Sequence, residues 1–376
     1  MHSSTNMVAG YPYPVLKIKS TALAKNLSLL KNIAGDSTKV LIPVKANAYG
    51  CGLKEILPFF KDNPVDYLGV ANPQEGSNLR QLDWQGQILN LGGFYKENIS
   101  VFFENNVTPS ITDLEHIEWL NSAAKLYSRK IKVHLKFDLG MGRLGLKIQD
   151  YEQVVHQLNS AKNIVVEGIF THFPNAGTSK DVKTDNIIKS FSKVTESLIS
   201  DCNLNREDVI LHAANSYGVL FHDTSYFDMI RPGIVFYGYF QTEEDRIKYL
   251  KDFPIEPCLE LYANPISIRK LLRGDKVSYG STHVIEEESV KVAVIPLGYA
   301  DGIPRALSNQ VSFDGHLLAG NVTMDQIVLK NIESKDQKVC LLGENNPSLE
   351  EWAEKVGTIS YEVMTGFGHR VNRILI

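Results

Sequence analysis

The chain has 376 residues, of which 43% are hydrophobic and 22% are charged, so it is long enough to form two domains with their own cores. Its formal net charge is -4 and no block of lysine and arginine stands out, which argues against a nucleic-acid partner. No stretch reaches the roughly 20 apolar residues of a membrane-spanning helix, which argues against a membrane protein.

The chain begins with a polar, proline-broken segment, Met1–Pro14, that lacks the apolar centre of a secretory signal. The first ~10 residues are predicted to be flexible. The cysteines are far apart and form no Cys-x-x-Cys pair, so we interpret them as free thiols in a reducing compartment. These cysteines are Cys51, Cys202, Cys258 and Cys340. The sequence therefore predicts a cytoplasmic protein.

From about residue 20 to about residue 240, short β-branched runs alternate with amphipathic stretches, which is typical of parallel strands joined by helices. The candidate strands are Lys39–Lys45, Asp66–Ala71, Gln87–Leu91, Val107–Ile111, Ile131–Asp138, Ile164–Thr171, Asp208–Ala213 and Met229–Tyr237. This series predicts an α/β fold with a (β/α)8 barrel of the TIM type, although counting alone leaves a doubly wound sheet open.

The pattern changes after about Asp252, where prolines are followed by segments rich in valine and isoleucine, such as Val290–Pro296 and Lys338–Leu342. One helix is predicted near Leu349–Lys355. We therefore predict a barrel domain over residues 1–252 and a mostly β C-terminal domain over residues 253–376.

Lys45 ends an apolar strand, so its ammonium group is predicted to emerge at the C-terminal mouth of the barrel, where barrel enzymes carry their active sites. A lysine held near other cations and partly removed from water has a lowered pKa and can form a Schiff base with a carbonyl group. For this lysine alone, an ordinary solvent-exposed strand end is the more common reading.

Its sequence context decides between these readings. The run Val44–Gly50 resembles the cofactor-lysine motif of the alanine racemase family, and further motifs of that family follow in order. They are Gly140–Gly145, Thr171–Phe173, Ala214–Ser216, Arg231–Ile234, Val277–Gly280, Gly298–Gly302, Met324–Gln326 and Tyr361–Val363. The chain is therefore identified as a member of this family, whose enzymes are fold-type III proteins that depend on pyridoxal 5'-phosphate.

The resemblance implies a cytoplasmic homodimer that interconverts L-alanine and D-alanine by two-base proton transfer through a pyridoxal-phosphate aldimine, supplying D-alanine for cell-wall peptidoglycan. Lys45 is the implied cofactor-binding lysine and one catalytic base; Tyr279, from the partner subunit, is the other. The residues implied to hold the cofactor besides Lys45 are Tyr49, His172, Asn215, Ser216, Arg231, Gly233, Ile234 and Tyr361. Phosphate binding after strands seven and eight is also a recurring arrangement in barrels.

Arg143 lies in a glycine-rich loop, and its guanidinium group can hold the substrate carboxylate with two parallel hydrogen bonds. The same loop fits G-x-G-x-x-G, but a dinucleotide site needs a helix opening directly at the glycines, and the next helical pattern begins near Asp150. Lys136 matches a lysine that some relatives carry as a carbamate, and an unmodified lysine is equally compatible with the sequence. Met324 and Tyr299 match residues of the family's substrate entry.

Arg231 matches a residue that the family places against the pyridine nitrogen of the cofactor. A permanent cation cannot take up the proton that would make the ring a strong electron sink, which restrains side reactions. An arginine that pairs with Asp228 is the alternative. His172 is implied to bridge Arg231 and Tyr279, and the other histidines are interpreted as structural.

Two positions depart from the family pattern: Asn321 replaces an arginine and Asn372 replaces a proline. No metal site is predicted, because no cluster with ligand spacing is present. The bulk of Tyr279 and Met324 favours alanine as the substrate. A broad-specificity racemase acting on serine or lysine, and a non-catalytic carrier of pyridoxal phosphate on the same barrel, remain alternatives.

Overall fold

The computed structural model describes residues 14–177 and 181–376. It divides into two compact units. The barrel unit comprises residues 24–49 and 57–237, and the second unit comprises the chain up to Leu23 together with residues 50–56 and 238–376. The segment predicted to be flexible, the first ~10 residues, lies outside the described residues.

The strands of the described chain are numbered in sequence order. They are β1 (Val15–Ile18), β2 (Lys39–Pro43), β3 (Tyr67–Val70), β4 (Gln87–Asn90), β5 (Ser110–Ile111), β6 (Ile131–Lys136), β7 (Ile164–Phe170), β8 (Ile210–His212), β9 (Met229–Ile230), β10 (Leu259–Ala263), β11 (Ser267–Leu272), β12 (Lys276–Val277), β13 (His283–Val284), β14 (Ser289–Ile295), β15 (Ser312–Phe313), β16 (His316–Leu317), β17 (Ile327–Lys330), β18 (Val339–Leu342) and β19 (Asn372–Leu375).

The helices are numbered in the same way. They are α1 (Ser20–Ala34), α2 (Lys45–Tyr49), α3 (Leu53–Asp62), α4 (Pro73–Gln81), α5 (Ile99–Glu104), α6 (Leu114–Leu126), α7 (Tyr151–Ser160), α8 (Val182–Asp201), α9 (Ser216–Phe221), α10 (Glu243–Tyr249), α11 (Leu349–Val356) and α12 (Ser360–Thr365). In the part of the chain that the structure describes, none of them has the length and apolar character needed to cross a membrane.

The barrel unit is built from eight parallel strands, β2 to β9. One sheet has the order β4-β3-β2-β9 and the other the order β5-β6-β7-β8. A parallel bridge between Leu89 and Thr108 joins β4 to the segment before β5. The backbone N–H of Asp228 donates to the carbonyl of Leu211 at 2.9 Å, which joins β9 to β8 and closes the ring. The predicted (β/α)8 barrel is confirmed.

Several strands, such as β3, are apolar and buried on both faces, as expected for parallel strands covered by helices, whereas β6 carries Lys132, His134 and Lys136 on one face. Leu41, Tyr67, Leu89 and Met229 pack together in one buried cluster of the barrel. Because all eight strands run in the same direction, their carboxyl ends meet at one mouth. Side chains that follow different strands are thereby collected in one place.

The eighth strand is shorter than predicted. The sequence prediction extended it over Met229–Tyr237, whereas β9 ends at Ile230. Pro232 has no N–H to donate to a ladder, and the N–H of Phe236 donates to the carbonyl of Gly233 at 3.0 Å, which closes a turn. The chain after Arg231 therefore forms a turn at the barrel mouth.

The second unit is mostly β-structure. Its larger sheet has the order β18-β10-β1-β19, and a three-stranded sheet has the order β11-β14-β17. The predicted helix near Leu349–Lys355 is present as α11, where Ser348 and Glu351 form a reciprocal cap. Because β1 pairs with β10 and β19, the N-terminal strand belongs to this unit, so the contact-based division differs from the predicted boundary after residue 252.

Candidate functional site

Lys45 stands at the end of β2 and begins the left-handed turn α2. Ala46, Asn47, Ala48 and Tyr49 all have φ between 53° and 55°. This conformation costs a non-glycine residue about 1–2 kcal/mol, so a run of four is costly. Such strain is found where the position of a side chain matters.

Glu75 of α4 holds this turn to the rest of the barrel. Its Oε1 accepts a hydrogen bond from the N–H of Ala46 at 2.8 Å, and its Oε2 accepts one from the N–H of Ala71 at 2.7 Å. The carboxylate therefore satisfies two backbone donors that follow neighbouring strands, β2 and β3. It also fixes where Lys45 leaves the strand.

The amine of Lys45 lies among other cationic groups of the barrel mouth. Burial lowers its pKa, and Arg143 lowers it further, against the opposing effect of Glu75. Burial, Arg143 and Arg231 together lower the pKa of Lys136 to about 8. With a pKa near 8, Lys136 is partly neutral near physiological pH, and the lowered pKa of Lys45 favours its action as a nucleophile or base.

His172 follows β7 in the same group. Burial and the charges of Arg231 and Lys136 hold its pKa well below the usual histidine range, so the ring is neutral. The mouth thus collects Lys45, Lys136, Arg143 and Arg231 around the neutral His172, and these cationic groups give it a positive potential. An anionic ligand would stabilise such a region.

The glycine-rich loop after β6 is folded around Asp138. Its Oδ1 accepts from the N–H groups of Gly140, Met141 and Gly142 at 3.0, 2.8 and 3.0 Å, and its Oδ2 accepts from the N–H of Arg143 at 2.8 Å. Partial burial raises the pKa of Asp138, but these four backbone donors outweigh it and lower the pKa below the usual range. The loop opens no helix and instead positions Arg143.

Arg231 is buried, with only 4% of its surface exposed. Its Nη1 donates to Nδ1 of His212 at 2.8 Å, and its Nη2 donates to the carbonyls of Thr171 and Ala213 at 2.7 and 3.0 Å. None of these bonds goes to His172, so the predicted bridge through that residue is not among the described contacts of Arg231. The alternative pairing with Asp228 is absent as well, because Asp228 pairs with Arg206 at 2.9 Å.

At the turn after β9, Gly233 lies against Ser216 and Tyr49. The hydroxyl of Ser216 accepts from the N–H of Gly233 at 2.8 Å, and a Cβ built on Gly233 would lie 2.7 Å from the Tyr49 hydroxyl. Asn215, not Ser216, is the N-cap of α9, since its side chain accepts from the N–H of Gly218 at 3.0 Å. Ile234 beside this turn is fully buried. Gly233 therefore lets the Tyr49 and Ser216 hydroxyls approach the backbone of this turn closely.

These features test whether pyridoxal phosphate fits the barrel. The cofactor needs an amine for its aldehyde, hydrogen-bond donors for its phosphate and a partner for its ring nitrogen. Lys45 supplies a partly desolvated amine, and the Tyr49 and Ser216 hydroxyls lie together beside Gly233. Arg231 has five N–H groups and donates three of the described hydrogen bonds. The residues present fit the cofactor.

The remaining predicted site residues lie in the second unit. Tyr279 is 75% exposed, Met324 is 53% exposed and Tyr299 is 46% exposed. Tyr361 lies in α12. The four residues thus lie at or near the surface of this chain, whereas Arg231 of the barrel unit is buried.

Asn321, which replaces the family's arginine, supports the backbone at Tyr279. Its Nδ2 donates to the carbonyl of Tyr279 at 2.7 Å, and its own carbonyl accepts from the hydroxyl of Ser278 at 2.6 Å. Ser278 has φ of 63°, so this turn too is in the left-handed region. The substitution therefore exchanges a charge for a turn-stabilising contact.

Sequence reasoning missed four residues that organise the site. Glu75 and Asp138 act on backbone N–H groups, while His212 and His134 lie beneath Arg231. An aspartate before a glycine-rich loop is a turn signal that the sequence offered. His134 stands two residues before Lys136 on one strand and so shares its face, which was the other available signal.

The histidine, cysteine and acidic side chains of residues 14–177 and 181–376 form no group of three or more that is arranged to hold a metal ion. The four cysteines are free thiols.

The family model of the alanine racemase N-terminal domain matches residues 18–241, and that of the alanine racemase C-terminal domain matches residues 258–375. The chain belongs to the alanine racemase family. The alanine racemase of Halothermothrix orenii is 33% identical over 369 residues, which cover 95% of this chain and 95% of the relative.

Solved alanine racemase structures resemble the chain over nearly its whole length. The enzyme of Clostridium difficile 630 has a TM-score of 0.89 at 28% identity, covering 98% of this chain and 96% of that one. The Bacillus anthracis alanine racemase, solved with bound L-Ala-P, has a TM-score of 0.87 at 29% identity and the same coverages of 98% and 96%. The Bartonella henselae alanine racemase, with covalently bound pyridoxal phosphate, has a TM-score of 0.83 at 26% identity, with coverages of 97% and 99%.

Proposed function

We propose that this protein is a pyridoxal-phosphate-dependent racemase that interconverts L-alanine and D-alanine in the cytoplasm. The observation that carries the proposal is the position of Lys45, whose amine has a lowered pKa and lies among cations at a barrel mouth where hydroxyl groups gather at Gly233. The free cysteines are consistent with a reducing compartment. The product D-alanine would serve cell-wall synthesis.

Each cofactor-binding residue has a separate task in this proposal. Lys45 would hold the aldehyde carbon. Tyr49, Ser216 and Gly233 would hold the phosphate. The resemblance to the family adds Asn215, Ile234 and Tyr361 to the residues that bind the cofactor. Arg231 would donate a hydrogen bond to the ring nitrogen without giving up its charge. When bound, pyridoxal phosphate supplies a conjugated system that accepts negative charge from the α-carbon.

Two bases on opposite faces explain an inversion of configuration. Once the substrate's amino group has displaced Lys45 from the aldehyde carbon, the freed amine of Lys45 would remove or return a proton on one face of the α-carbon. The side chain of Tyr279 would do so on the other face, taking the proton as a phenolate or giving it as a phenol. Arg143, fixed by Asp138, would hold the substrate carboxylate so that the Cα–H bond faces one base at a time. A single base would tend to return the proton to the face from which it was taken.

The working unit in this proposal is a homodimer with shared sites. Tyr279 and Met324 are 75% and 53% exposed on the single chain, and large side chains of this kind are typical of interface positions. We infer that they complete the site of the partner subunit. His172 would lie between Arg231 and the incoming phenol, and Tyr299 would line the entry.

The experiment that tests the function measures exchange of the α-hydrogen of L- and D-alanine in deuterated water. We expect racemisation by the holoenzyme and a loss of about 10³-fold or more in Lys45→Ala. Lys39→Ala is the matched control, because Lys39 is exposed at the opposite end of β2. Borohydride should trap cofactor on the wild type and on the control but not on Lys45→Ala.

Substrate preference is tested in the same assay with alanine, serine and lysine supplied side by side. We expect alanine to have the highest kcat/KM, because the side chains of Tyr279 and Met324 leave room for little more than a methyl group. A preference for lysine or serine would contradict the alanine assignment and favour a broad-specificity racemase. A protein that binds cofactor and exchanges no α-hydrogen would be a carrier.

A further inference from the structure

Beneath Arg231, a line of buried polar groups crosses three neighbouring barrel strands. Nδ1 of His212 on β8 lies 2.8 Å from Nη1 of Arg231, and Nε2 of His212 lies 2.8 Å from Nδ1 of His134 on β6. Nε2 of His134 lies 3.6 Å from Oε2 of Glu167 on β7. Both histidines are 0% exposed and Glu167 is 9% exposed, so water has little access to the line.

The protons in this line have only one consistent arrangement. A guanidinium group only donates, so Nδ1 of His212 must accept, and a neutral ring then carries its proton on Nε2. That proton is donated to Nδ1 of His134, which must accept in turn. His134 therefore also carries its proton on Nε2, where it faces the carboxylate of Glu167.

The charges of these groups agree with this order. Burial lowers the pKa of His212 and of His134, so both rings stay neutral at physiological pH. Burial raises the pKa of Glu167, but the neighbouring His134 and the hydrogen-bonded ammonium of Lys132 outweigh it and hold the pKa at about 2. Glu167 is therefore an anion, with its Oε1 2.6 Å from the ammonium of Lys132.

Arg231 needs such an anion because a buried charge is costly without compensation. Within the described ranges, 14–177 and 181–376, its hydrogen bonds go to His212 and to two backbone carbonyls, and no carboxylate pairs with it directly. Burial lowers its pKa to about 9, which still leaves it charged at neutral pH. Glu167 is the carboxylate at the far end of the line.

We propose that Glu167 is a positioning residue for Arg231, acting through His134 and His212 in an ordered line of polar groups. Hydrogen bonds join the guanidinium group to His212 and His212 to His134, and Nε2 of His134 faces the carboxylate across 3.6 Å. This line of polar groups holds Arg231 in place as a charged donor at the barrel mouth. This inference rests on the proposed function, because the orientation of Arg231 matters for catalysis only if a ligand ring lies against it.

The backbone makes room for this line of polar groups at one point. Gly168 on β7 lies opposite His134 in the strand register, and a Cβ built on Gly168 would lie 2.4 Å from the His134 ring. Gly168→Ala would therefore displace the His134 ring, and we expect it to interrupt the line of polar groups between Arg231 and Glu167. The glycine gives a second, independent way of interrupting the same line.

The first test is nitrogen NMR of the ¹⁵N-histidine-labelled protein prepared without cofactor, with signals assigned from His134→Gln and His212→Gln. We expect both rings to carry a proton on Nε2 and none on Nδ1 between about pH 6 and about pH 8. A proton on Nδ1 of either ring, or a doubly protonated ring, would overturn the proposal. This measurement needs no variant of Glu167 to fold.

The second test compares Glu167→Gln with Glu243→Gln. The control removes an ion-paired carboxylate with the same side-chain exposure, 10%, from the second unit. We expect Glu167→Gln to broaden the Arg231 guanidinium signals in the cofactor-free protein, and to lower kcat of the holoenzyme about tenfold with KM changed less than about twofold. The control should change neither.

Unchanged Arg231 signals in Glu167→Gln would refute the role of Glu167. The two proposals fail separately, because the NMR signals do not depend on turnover. Ordered histidines in a protein that exchanges no α-hydrogen would disprove the racemase function alone. An active racemase whose His134 or His212 ring carries its proton on Nδ1 would disprove only the proposed role of Glu167.

Discussion

The barrel unit and the second unit present their candidate site residues in opposite ways. In the barrel, Arg231 is 4% exposed and donates three hydrogen bonds, and Lys45 is fixed by a left-handed turn. In the second unit, Tyr279 is 75% exposed. Under the proposed function, the barrel contributes buried and fixed groups to its own site, whereas the exposed tyrosine would act in the site of a partner subunit.

The exposed tyrosine should give the largest and most asymmetric effect. In Tyr279→Phe the backbone contact to Asn321 is kept, because Asn321 bonds the carbonyl and not the phenol. We expect α-hydrogen exchange to fall about 10²–10⁴-fold from one alanine enantiomer and much less from the other. Exchange of each enantiomer in deuterated water measures this, and equal losses would argue against two opposed bases.

The enclosed side of the comparison is tested at Gly233. Gly233→Ala places a Cβ 2.7 Å from the Tyr49 hydroxyl, and overpacking of this kind costs about 1–3 kcal/mol. We expect the cofactor-free protein to bind pyridoxal phosphate roughly tenfold to hundredfold more weakly, measured by absorbance titration. The variant Gly177→Ala should bind normally, since its Cβ would lie 4.0 Å from the nearest side-chain atom.

Removing the hydroxyl should relieve that collision. The proposed site also gives this hydroxyl a phosphate contact, so the double variant Gly233→Ala with Tyr49→Phe is expected to bind the cofactor no more tightly than Gly233→Ala alone. Tighter binding by the double variant would mean that the Tyr49 hydroxyl contributes nothing to cofactor binding.

The lowered pKa of Lys136 predicts a pH-dependent modification. The neutral amine reacts with carbon dioxide, and its fraction grows as pH rises through about 8. At constant carbon dioxide pressure we expect a ¹³C carbamate signal to increase from about pH 7 to about pH 9. The cations Arg143 and Arg231 would stabilise the resulting anion.

The signal must disappear in Lys136→Ala and persist in Lys132→Ala, a change to the largely exposed lysine of the same strand. Absence of any signal from the wild type across this range would remove the carbamate from the proposed site.

The smallest effect is expected in the left-handed turn. Ala46 is exposed and has φ of 53°, so Ala46→Gly relieves strain while losing no buried contact. We expect the free energy of unfolding to rise by about 0.5–1 kcal/mol in urea titrations. Ala123→Gly, in the right-handed helix α6, should lower it by about 1 kcal/mol. If both variants lowered the free energy of unfolding, backbone strain would not determine the effect of the substitution at Ala46.

The barrel and the position of Lys45 were predictable because they depend on local pattern. Alternation of apolar strands with amphipathic helices gives eight parallel strands, and parallel strands bring their carboxyl ends to one mouth. The residues after each strand are then near one another whatever the details of the helices between them. This pattern placed Lys45 at the mouth, whereas the grouping of Arg143 and Arg231 with it was implied by the resemblance to the alanine racemase family.

The left-handed turn after Lys45 was not predictable. Its residues are alanine, asparagine, alanine and tyrosine, and none is the glycine that normally marks positive φ. The turn is held by Glu75, which is far away in sequence. The pairing of β1 with β10 and β19 was missed for a similar reason, since a short strand does not carry the identity of its partners.

The roles of His134 and His212 depended on strand register. A buried histidine is usually a structural residue, and the sequence did not show that β6 and β8 bring these two rings to 2.8 Å. Register is decided by the whole barrel, so a pair of residues such as this becomes visible only once the sheet is closed.

The glycine at position 168 has a consequence for how this sequence can drift over evolutionary time. A glycine inside a strand sacrifices side-chain packing and adds unfolded-state entropy, so selection for a sturdier strand would ordinarily replace it. Here an alanine is excluded, because a Cβ at position 168 would lie only 2.4 Å from the imidazole ring of His134. Positions 134 and 168 are therefore expected to change together across descendants of this chain, or to stay as they are.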